Sequence, residues 1–135
     1  MRIVADANVL LSAVIGGKAL RVLRHPGIEE ILVTATVLDE IHEYAVVLAR
    51  KKRLAVDTVL TALVTLPVTV IDHGTYLPSI KAAEHRIGRR DPDDVETLAL
   101  ALHSGLPVWS NDSDFDGVGV VWHTTAELLA VLDRG

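Results

Sequence analysis

Short apolar runs alternate along the chain with segments in which apolar residues recur at helical spacing. The runs predict five strands, at residues 2–6, 30–35, 68–72, 106–112 and 119–124. The helical spacing predicts helices at residues 8–15, 18–25, 36–53, 56–66, 76–87, 91–104 and 125–134. Strands that are apolar throughout and alternate with helices are typical of a parallel sheet covered on both faces. We therefore expect residues 1–135 to form a single domain, a three-layer α/β/α fold with a central parallel sheet of about five strands.

Capping and breaking residues mark the helix ends. Gly16-Gly17 separates the first two helices. We expect Thr36 to be the N-cap of the long helix, with Asp39 completing a capping box. Asp91-Pro92 opens a later helix that stops at Gly105.

Composition narrows the class of protein. The chain is 50% hydrophobic but only 4% aromatic, which suits aliphatic helices packed over a sheet. A net charge of −5 argues against a protein that coats nucleic acid non-specifically, although an enzyme with an acidic site remains possible. The absence of cysteine excludes disulfides, Cys-based zinc sites and thiol nucleophiles. Nothing resembles a signal peptide, and no apolar run reaches the roughly 18 residues of a membrane span. We expect a cytoplasmic protein without a membrane anchor.

Four acidic residues lie where predicted strands end or where the next helices begin. Asp6 follows the first strand and Asp112 the fourth, while Glu40 and Asp94 lie near helix starts. In open α/β sheets, ligands bind beyond the carboxyl ends of the strands. The four acids are therefore expected at one edge of the sheet.

Each of these acids also has a purely local explanation. Asp6 could cap the following helix, and Asp112 and Asp114 could be ordinary turn residues. The aspartates within residues 91–94 could be first-turn acids favoured by the helix dipole. Asp91 in particular is well explained as a cap.

A helical wheel separates these candidates. At about 100° per residue, Asp94 falls on the buried stripe that contains Leu98, whereas Asp93 falls on a different face. The same projection places Glu40 next to Tyr44, at the border of the apolar face of the long helix. A glutamate that reaches back to solvent is the alternative there.

Inward-facing acids at one sheet edge need a counter-charge. Two carboxylates about 4 Å apart repel by roughly 4 kcal/mol at an effective dielectric constant near 20. A cluster of four must therefore share protons or bind a cation, and hard divalent ions prefer oxygen ligands. We expect Mg²⁺ or Mn²⁺.

Three segments resemble the motifs of the PIN domain family: "IVADANVLLSA", "TATVLDEI" and "DPDDVETLALALHSGLPVWSNDSDF". The resemblance runs through nearly the whole chain and implies the fold deduced above. It also implies a set of site residues, with a serine in place of the family's usual threonine. The implied catalytic acids and metal ligands are Asp6, Glu40, Asp94 and Asp112, with Asp114 as an accessory ligand and with Asn8 and Ser110 as polar neighbours.

The resemblance further implies an activity and partners. Members of the family hydrolyse phosphodiester bonds, usually in single-stranded RNA, with divalent metals. Similarity to VapC-like members suggests the toxin of a toxin–antitoxin pair, with a cognate antitoxin and a homodimeric state. Basic residues near the acidic segment are candidate RNA contacts: Lys81, Arg86, Arg89 and Arg90. The basic run at residues 50–53 is better explained as a helix C-terminus.

Other functions are compatible with the same fold. A PIN-like domain can be a non-catalytic scaffold for RNA or protein, or an RNA-processing enzyme that is not a toxin. A flavodoxin-like phosphoacceptor or nucleotide-binding domain would need an acidic pair after the first strand with a lysine later in the chain, or a glycine-rich phosphate loop directly after the first strand. Gly16-Gly17 lies too far along the chain for that role.

Overall fold

A computed structural model describes all residues from 1 to 135, with five parallel strands in one sheet. The strands are β1 (Arg2–Ala5), β2 (Glu30–Thr34), β3 (Thr69–Ile71), β4 (Val108–Trp109) and β5 (Trp122–His123). The helices are α1 (Ala7–Val14), α2 (Ala19–Leu23), α3 (Ala35–Lys51), α4 (Val56–Val64), α5 (His73–Tyr76), α6 (Ile80–Ile87), α7 (Val95–Ser104) and α8 (Thr125–Arg134). The predicted α/β fold with a parallel sheet of five strands is confirmed.

The order of the strands reverses in the middle of the sheet. The strands lie in the order β3-β2-β1-β4-β5, so the chain builds outward from β1 in one direction and then returns to add β4 on the other side. Val4 pairs with Val108 and Ala5 with Trp109 across this junction. Ligand sites of open α/β sheets lie at the carboxyl ends of the strands where the order reverses. The segments after β1 and β4 therefore meet at this point.

Two hydrophobic cores lie on opposite faces of the sheet. Alternate strand residues point to opposite faces, so Ile3 and Ala5 join one core while Val4 joins the other. The first core includes the apolar faces of α1, α2, α3, α4 and α8. The second includes those of α5, α6 and α7, together with Phe115 and Val118. This arrangement is the predicted three-layer sandwich.

The predicted N-cap of the long helix is wrong by two residues. Thr34 is the N-cap of α3, with an extended backbone and with its Oγ1 accepting a hydrogen bond of 3.0 Å from the N–H of Val37. Thr36 lies inside the first turn, and Asp39 is exposed, so the predicted capping box does not form. The strand residue Thr34 still pairs with Ile71 of β3, and the helix begins where this pairing ends.

Other element boundaries are shorter than the apolar pattern predicts. The predicted helix at residues 76–87 is divided, because Pro78 lies in a 3₁₀ turn between α5 and α6. The strand predicted at residues 106–112 is limited to β4, since the chain bends at Asn111. The helix predicted at residues 91–104 starts as a 3₁₀ turn, Pro92–Asp94, and ends at Gly105 in the left-handed conformation (φ 68°). No helix is long and apolar enough to cross a membrane.

Candidate metal centre at the carboxyl edge of the sheet

Asp6 lies immediately after β1, with only 6% of its surface exposed. Its Oδ1 accepts a hydrogen bond of 2.8 Å from the N–H of Ala7, so Asp6 is the N-cap of α1. Its Oδ2 accepts hydrogen bonds from Ser110 Oγ (2.9 Å) and Asn8 Nδ2 (3.2 Å). Asp6 therefore caps α1, and its carboxylate lies outside the group of four clustered aspartates described below. It is close enough for its charge to raise the pKa of Asp94 and of Glu40.

Ser110 and Asn8 join the segments after β1 and β4. Ser110 is fully buried, and its Oγ accepts hydrogen bonds from Asn8 Nδ2 (3.2 Å) and from the N–H of Asp112 (3.0 Å). The N–H of Asn111 donates to Asn8 Oδ1 at 3.2 Å. The serine hydroxyl thus fixes the backbone at Asp112 relative to the Asp6 carboxylate. This is the placement expected of polar neighbours.

Four aspartates bring carboxylate oxygens within 4.8 Å of one another: Asp91, Asp94, Asp112 and Asp114. Asp94 is only 5% exposed, and its Oδ2 is buried without any hydrogen-bond partner. The other three are half-buried and open the cluster to solvent. A buried carboxylate oxygen without a partner costs free energy, so this arrangement favours a cation.

Sequence reasoning did not include Asp91 in this cluster. Asp91 does cap the turn as predicted, since its Oδ1 accepts a hydrogen bond of 3.0 Å from the N–H of Asp93. A cap uses one carboxylate oxygen and leaves the other available, as at Asp6. Asp91 also precedes Asp94 by three residues, a spacing that places side chains on one side of a helical turn. These two signals together could have identified it.

The predicted contrast between two adjacent aspartates is confirmed, for a partly different reason. Asp94 is buried and Asp93 is exposed. The face of α7 assigned to Asp93 is not exposed, because Thr97 and Leu100 are buried as well. Asp93 and Asp94 both lie in the 3₁₀ turn before α7, and this turn exposes Asp93 while it buries Asp94.

Glu40 lies on α3, at the rim of the cluster and outside the group of four aspartates. Partial burial, and then the negative charge of Asp6, raise the pKa of Glu40 to about 7. Its predicted neighbour on the apolar face, Tyr44, is 53% exposed, because the buried face of α3 runs through Ile41 and Ala45. Glu40 therefore adjoins the aspartates from the side of α3.

The electrostatics of the cluster are those of an uncompensated acidic site. Burial is the main cause that raises the pKa of Asp6, with the charge of Asp112 adding to it. Burial also raises the pKa of Asp94, followed by the charge of Asp6 and the nearby Asp112 carboxyl group. The raised pKa values mean that these carboxyl groups bind protons more readily than isolated ones, and a divalent ion would compete with those protons.

The four basic residues predicted to contact RNA fall into two groups. Arg86 donates a hydrogen bond of 3.0 Å to the carbonyl oxygen of Val118, and Arg90 donates one of 3.2 Å to that of Asp116. These two arginines hold the loop that follows Asp112 and Asp114. Lys81 and Arg89 instead line an open polar groove on α6, together with Glu84 and His85. The basic side chains of this α6 groove form no salt bridge.

Comparison with known proteins agrees with this geometry. The chain is similar to PAE2754 from Pyrobaculum aerophilum (15% identity, TM-score 0.76), with 100% of this chain and 97% of that chain covered. It is similar to VapBC2 from Rickettsia felis, solved with a fragment of promoter DNA (14%, 0.70; 92% and 98% covered). It is also similar to VapC20 of Mycobacterium tuberculosis, a toxin that cleaves the sarcin–ricin loop (18%, 0.58; 88% and 96% covered). No curated protein sequence matches. Identities this low show a shared fold alone, but a model of the PIN domain matches residues 4–133. With the sheet order, the edge of acidic residues and this match in agreement, the chain belongs to the PIN domain family.

Proposed function

We propose that this protein is a ribonuclease that hydrolyses phosphodiester bonds in single-stranded RNA with the help of Mg²⁺ or Mn²⁺. The observation that carries the proposal is the buried, unpartnered Oδ2 of Asp94, surrounded by the carboxylates of three other aspartates. Family membership supports hydrolysis of nucleic acid.

The residues present fit a hard divalent cation. All candidate ligand atoms are carboxylate oxygens, which Mg²⁺ and Mn²⁺ prefer over nitrogen or sulfur. The proposed catalytic acids and ligands are Asp6, Glu40, Asp94 and Asp112, with Asp114 and now Asp91 completing the set. The chemistry that such a cation supplies is activation of water and stabilisation of charge on the attacked phosphate.

The chain's own residues hold the site in position. Ser110 and Asn8 fix Asp6 by direct hydrogen bonds, so the carboxylate cannot rotate away. Glu40, whose pKa is about 7, is able to accept or release a proton near neutral pH at the rim of the cluster. Lys81 and Arg89 of the α6 groove are the candidate contacts for RNA phosphates.

We also propose that the protein is a toxin with a cognate antitoxin. Structures with the same fold include a toxin–antitoxin complex from Klebsiella pneumoniae and DNA-bound VapBC from Salmonella typhimurium. A homodimer is proposed from the exposed apolar side chains Tyr44, Val47, Val64 and Val70, which lie on α3, α4 and β3. Of these three elements, α4 and β3 each pack against α3.

The test is cleavage of single-stranded RNA by the purified protein with Mn²⁺, with EDTA, and with Asp94→Asn in place of the wild type. We expect cleavage only by the wild type with the metal. Cleavage that continues undiminished in EDTA would contradict the mechanism, and RNA binding without cleavage would favour the non-catalytic scaffold. The toxin role is tested separately by expression in a bacterium, where we expect growth arrest that co-expression of a neighbouring small gene relieves. Growth without arrest would favour an RNA-processing enzyme.

A further inference from the structure

Glu96 of α7 accepts hydrogen bonds from three side chains on two other elements. The Tyr76 hydroxyl donates to its Oε1 at 2.8 Å, and His73 Nδ1 contacts the same oxygen at 2.9 Å. The Thr36 hydroxyl donates to Oε2 from the first turn of α3. Both oxygens of a half-buried carboxylate are thus used, and we call this group the Glu96 clasp.

The Glu96 clasp connects helices that no shared core holds together. The buried residues of α3 belong to the hydrophobic core on one face of the sheet, and those of α7 belong to the core on the other. Among the side-chain hydrogen bonds, the one from Thr36 to Glu96 joins α3 to α7 directly. Each helix otherwise packs on its own face of the sheet, so this bond ties the two helices together at the sheet edge.

On both α3 and α7, the residues of the Glu96 clasp lie close in sequence to residues of the acidic site. Thr36 precedes Glu40 by four residues, so the two side chains lie on one side of α3. Glu96 follows Asp94 by two residues, in the first turn of α7. A displacement of α3 at Thr36 therefore also displaces Glu40 relative to the aspartates.

The buried Tyr76 keeps Glu96 itself in place. Tyr76 is fully buried, and its hydroxyl has the Glu96 carboxylate as its hydrogen-bond partner. A buried tyrosine hydroxyl left without a partner is costly, so the bond orients Glu96 against α5. The second Oε is then directed to Thr36. Hydrogen bonds to a carboxylate of this kind are stronger than those between neutral groups.

We propose that Glu96 is a positioning residue, which through Thr36 sets the distance between Glu40 and the aspartate cluster. The inference rests on the proposed function for its consequence, which is affinity for the metal. Its structural part, the fixed separation of α3 and α7, does not depend on activity and is measured without metal.

The experiment compares Thr36→Val, which removes the hydroxyl, with Thr36→Ser, which retains it. Because the chain has no cysteine, spin labels can be attached to His42→Cys on α3 and His103→Cys on α7, both exposed positions. Pulsed electron resonance in EDTA then gives the distance distribution between the two helices. We expect Thr36→Val to broaden or shift this distribution and Thr36→Ser to reproduce that of the wild type.

Mn²⁺ titration of the same proteins without labels provides the second readout. We expect Thr36→Val to weaken Mn²⁺ binding roughly tenfold, the usual scale for residues that orient metal ligands, and Thr36→Ser to restore it. Tyr76→Phe, which removes a different bond of the clasp, should change both readouts in the same direction. Wild-type distances and Mn²⁺ affinity in Thr36→Val would overturn the proposal. A wild-type protein that binds no Mn²⁺ would overturn the proposed metal site instead, while the distances would still decide the positioning role.

Discussion

Asp93 and Asp94 offer a direct test of the metal site, because they are adjacent and chemically identical but differ in environment. Asp94 is 5% exposed with an unpartnered oxygen, whereas Asp93 is exposed. A role limited to the helix dipole predicts equal losses for Asp93→Asn and Asp94→Asn, each below about 1 kcal/mol in the free energy of unfolding. We instead expect Asp94→Asn to abolish cleavage and to weaken Mn²⁺ binding, and Asp93→Asn to retain both at the wild-type level.

The size of the effect follows from the separation of the carboxylates. Their ligand atoms lie within 4.8 Å of one another. Two unit charges at that distance interact by about 3.5 kcal/mol at an effective dielectric constant near 20. A missing carboxylate loses its attraction for a doubly charged cation, but it also relieves repulsions of this size with the remaining carboxylates. Solvent at the open side of the site reduces both effects. With about 1.4 kcal/mol for each factor of ten, we expect Mn²⁺ affinity to fall by roughly ten- to a hundredfold.

Thermal melting with and without Mn²⁺ measures this loss together with cleavage rates. At a Mn²⁺ concentration of about 100 times the wild-type Kd, binding stabilises the wild type by about 2.7 kcal/mol, or roughly 10 °C in Tm. A hundredfold weaker site retains only about 0.4 kcal/mol of this stabilisation. Asp93→Asn is the matched control and should show the full shift. Equal shifts in the two variants would refute the site, and loss in Asp93→Asn alone would mean that the turn presents the other aspartate.

Three further predictions concern the pH dependence of stability, the separate roles of Arg86 and Lys81, and the oligomeric state. In EDTA, the Tm should fall as pH rises from about 5 to 8, because the pKa of Glu40 is about 7 in the folded state against 4.5 in the unfolded chain and the favourable protonated form is lost in this range. Mn²⁺ should oppose this fall, and a Tm that rises with pH would contradict the origin of the pKa shift. Arg86→Met should lower the free energy of unfolding by about 1–3 kcal/mol because it removes the hydrogen bond to the Val118 carbonyl oxygen. Lys81→Ala should weaken RNA binding in filter assays at an unchanged Tm. A loss of stability in Lys81→Ala and of RNA binding alone in Arg86→Met would contradict these roles. Light scattering should give a dimer that Val64→Lys converts to a monomer, and a wild-type monomer at micromolar concentration would exclude this interface.

Local patterns in the sequence were sufficient to predict most of the architecture. Strands such as β1 and β2 are continuous apolar runs because they are covered on both faces, and such runs are visible without a structure. The burial of Asp94 was also predictable, since the apolar stripe of the following helix extends to it. The ends of the elements were less predictable. Thr34 and Thr36 are equally good N-cap residues by type. Thr34 is the cap because it is the last residue of β2 that pairs with β3, and the helix begins directly after it.

The acidic candidates could be named from the sequence, but their arrangement depends on tertiary structure. Ser110 bonds to Asp6 across 104 positions, and this contact exists only because β4 is inserted beside β1. No spacing along the chain encodes that order of strands.

The same limit applies to the charged residues that proved to have structural contacts. Arg86 is one of several arginines near an acidic segment, and only the fold shows that its guanidinium holds the loop after Asp114. Glu96 resembles any first-turn glutamate until α3 and α7 are placed on opposite faces of the sheet, where its carboxylate meets Thr36. Hydrophobic periodicity is a local property that the chain displays directly. The partner of a polar side chain is instead set by how distant segments pack, because the short range of a hydrogen bond makes it depend on the final position of both groups.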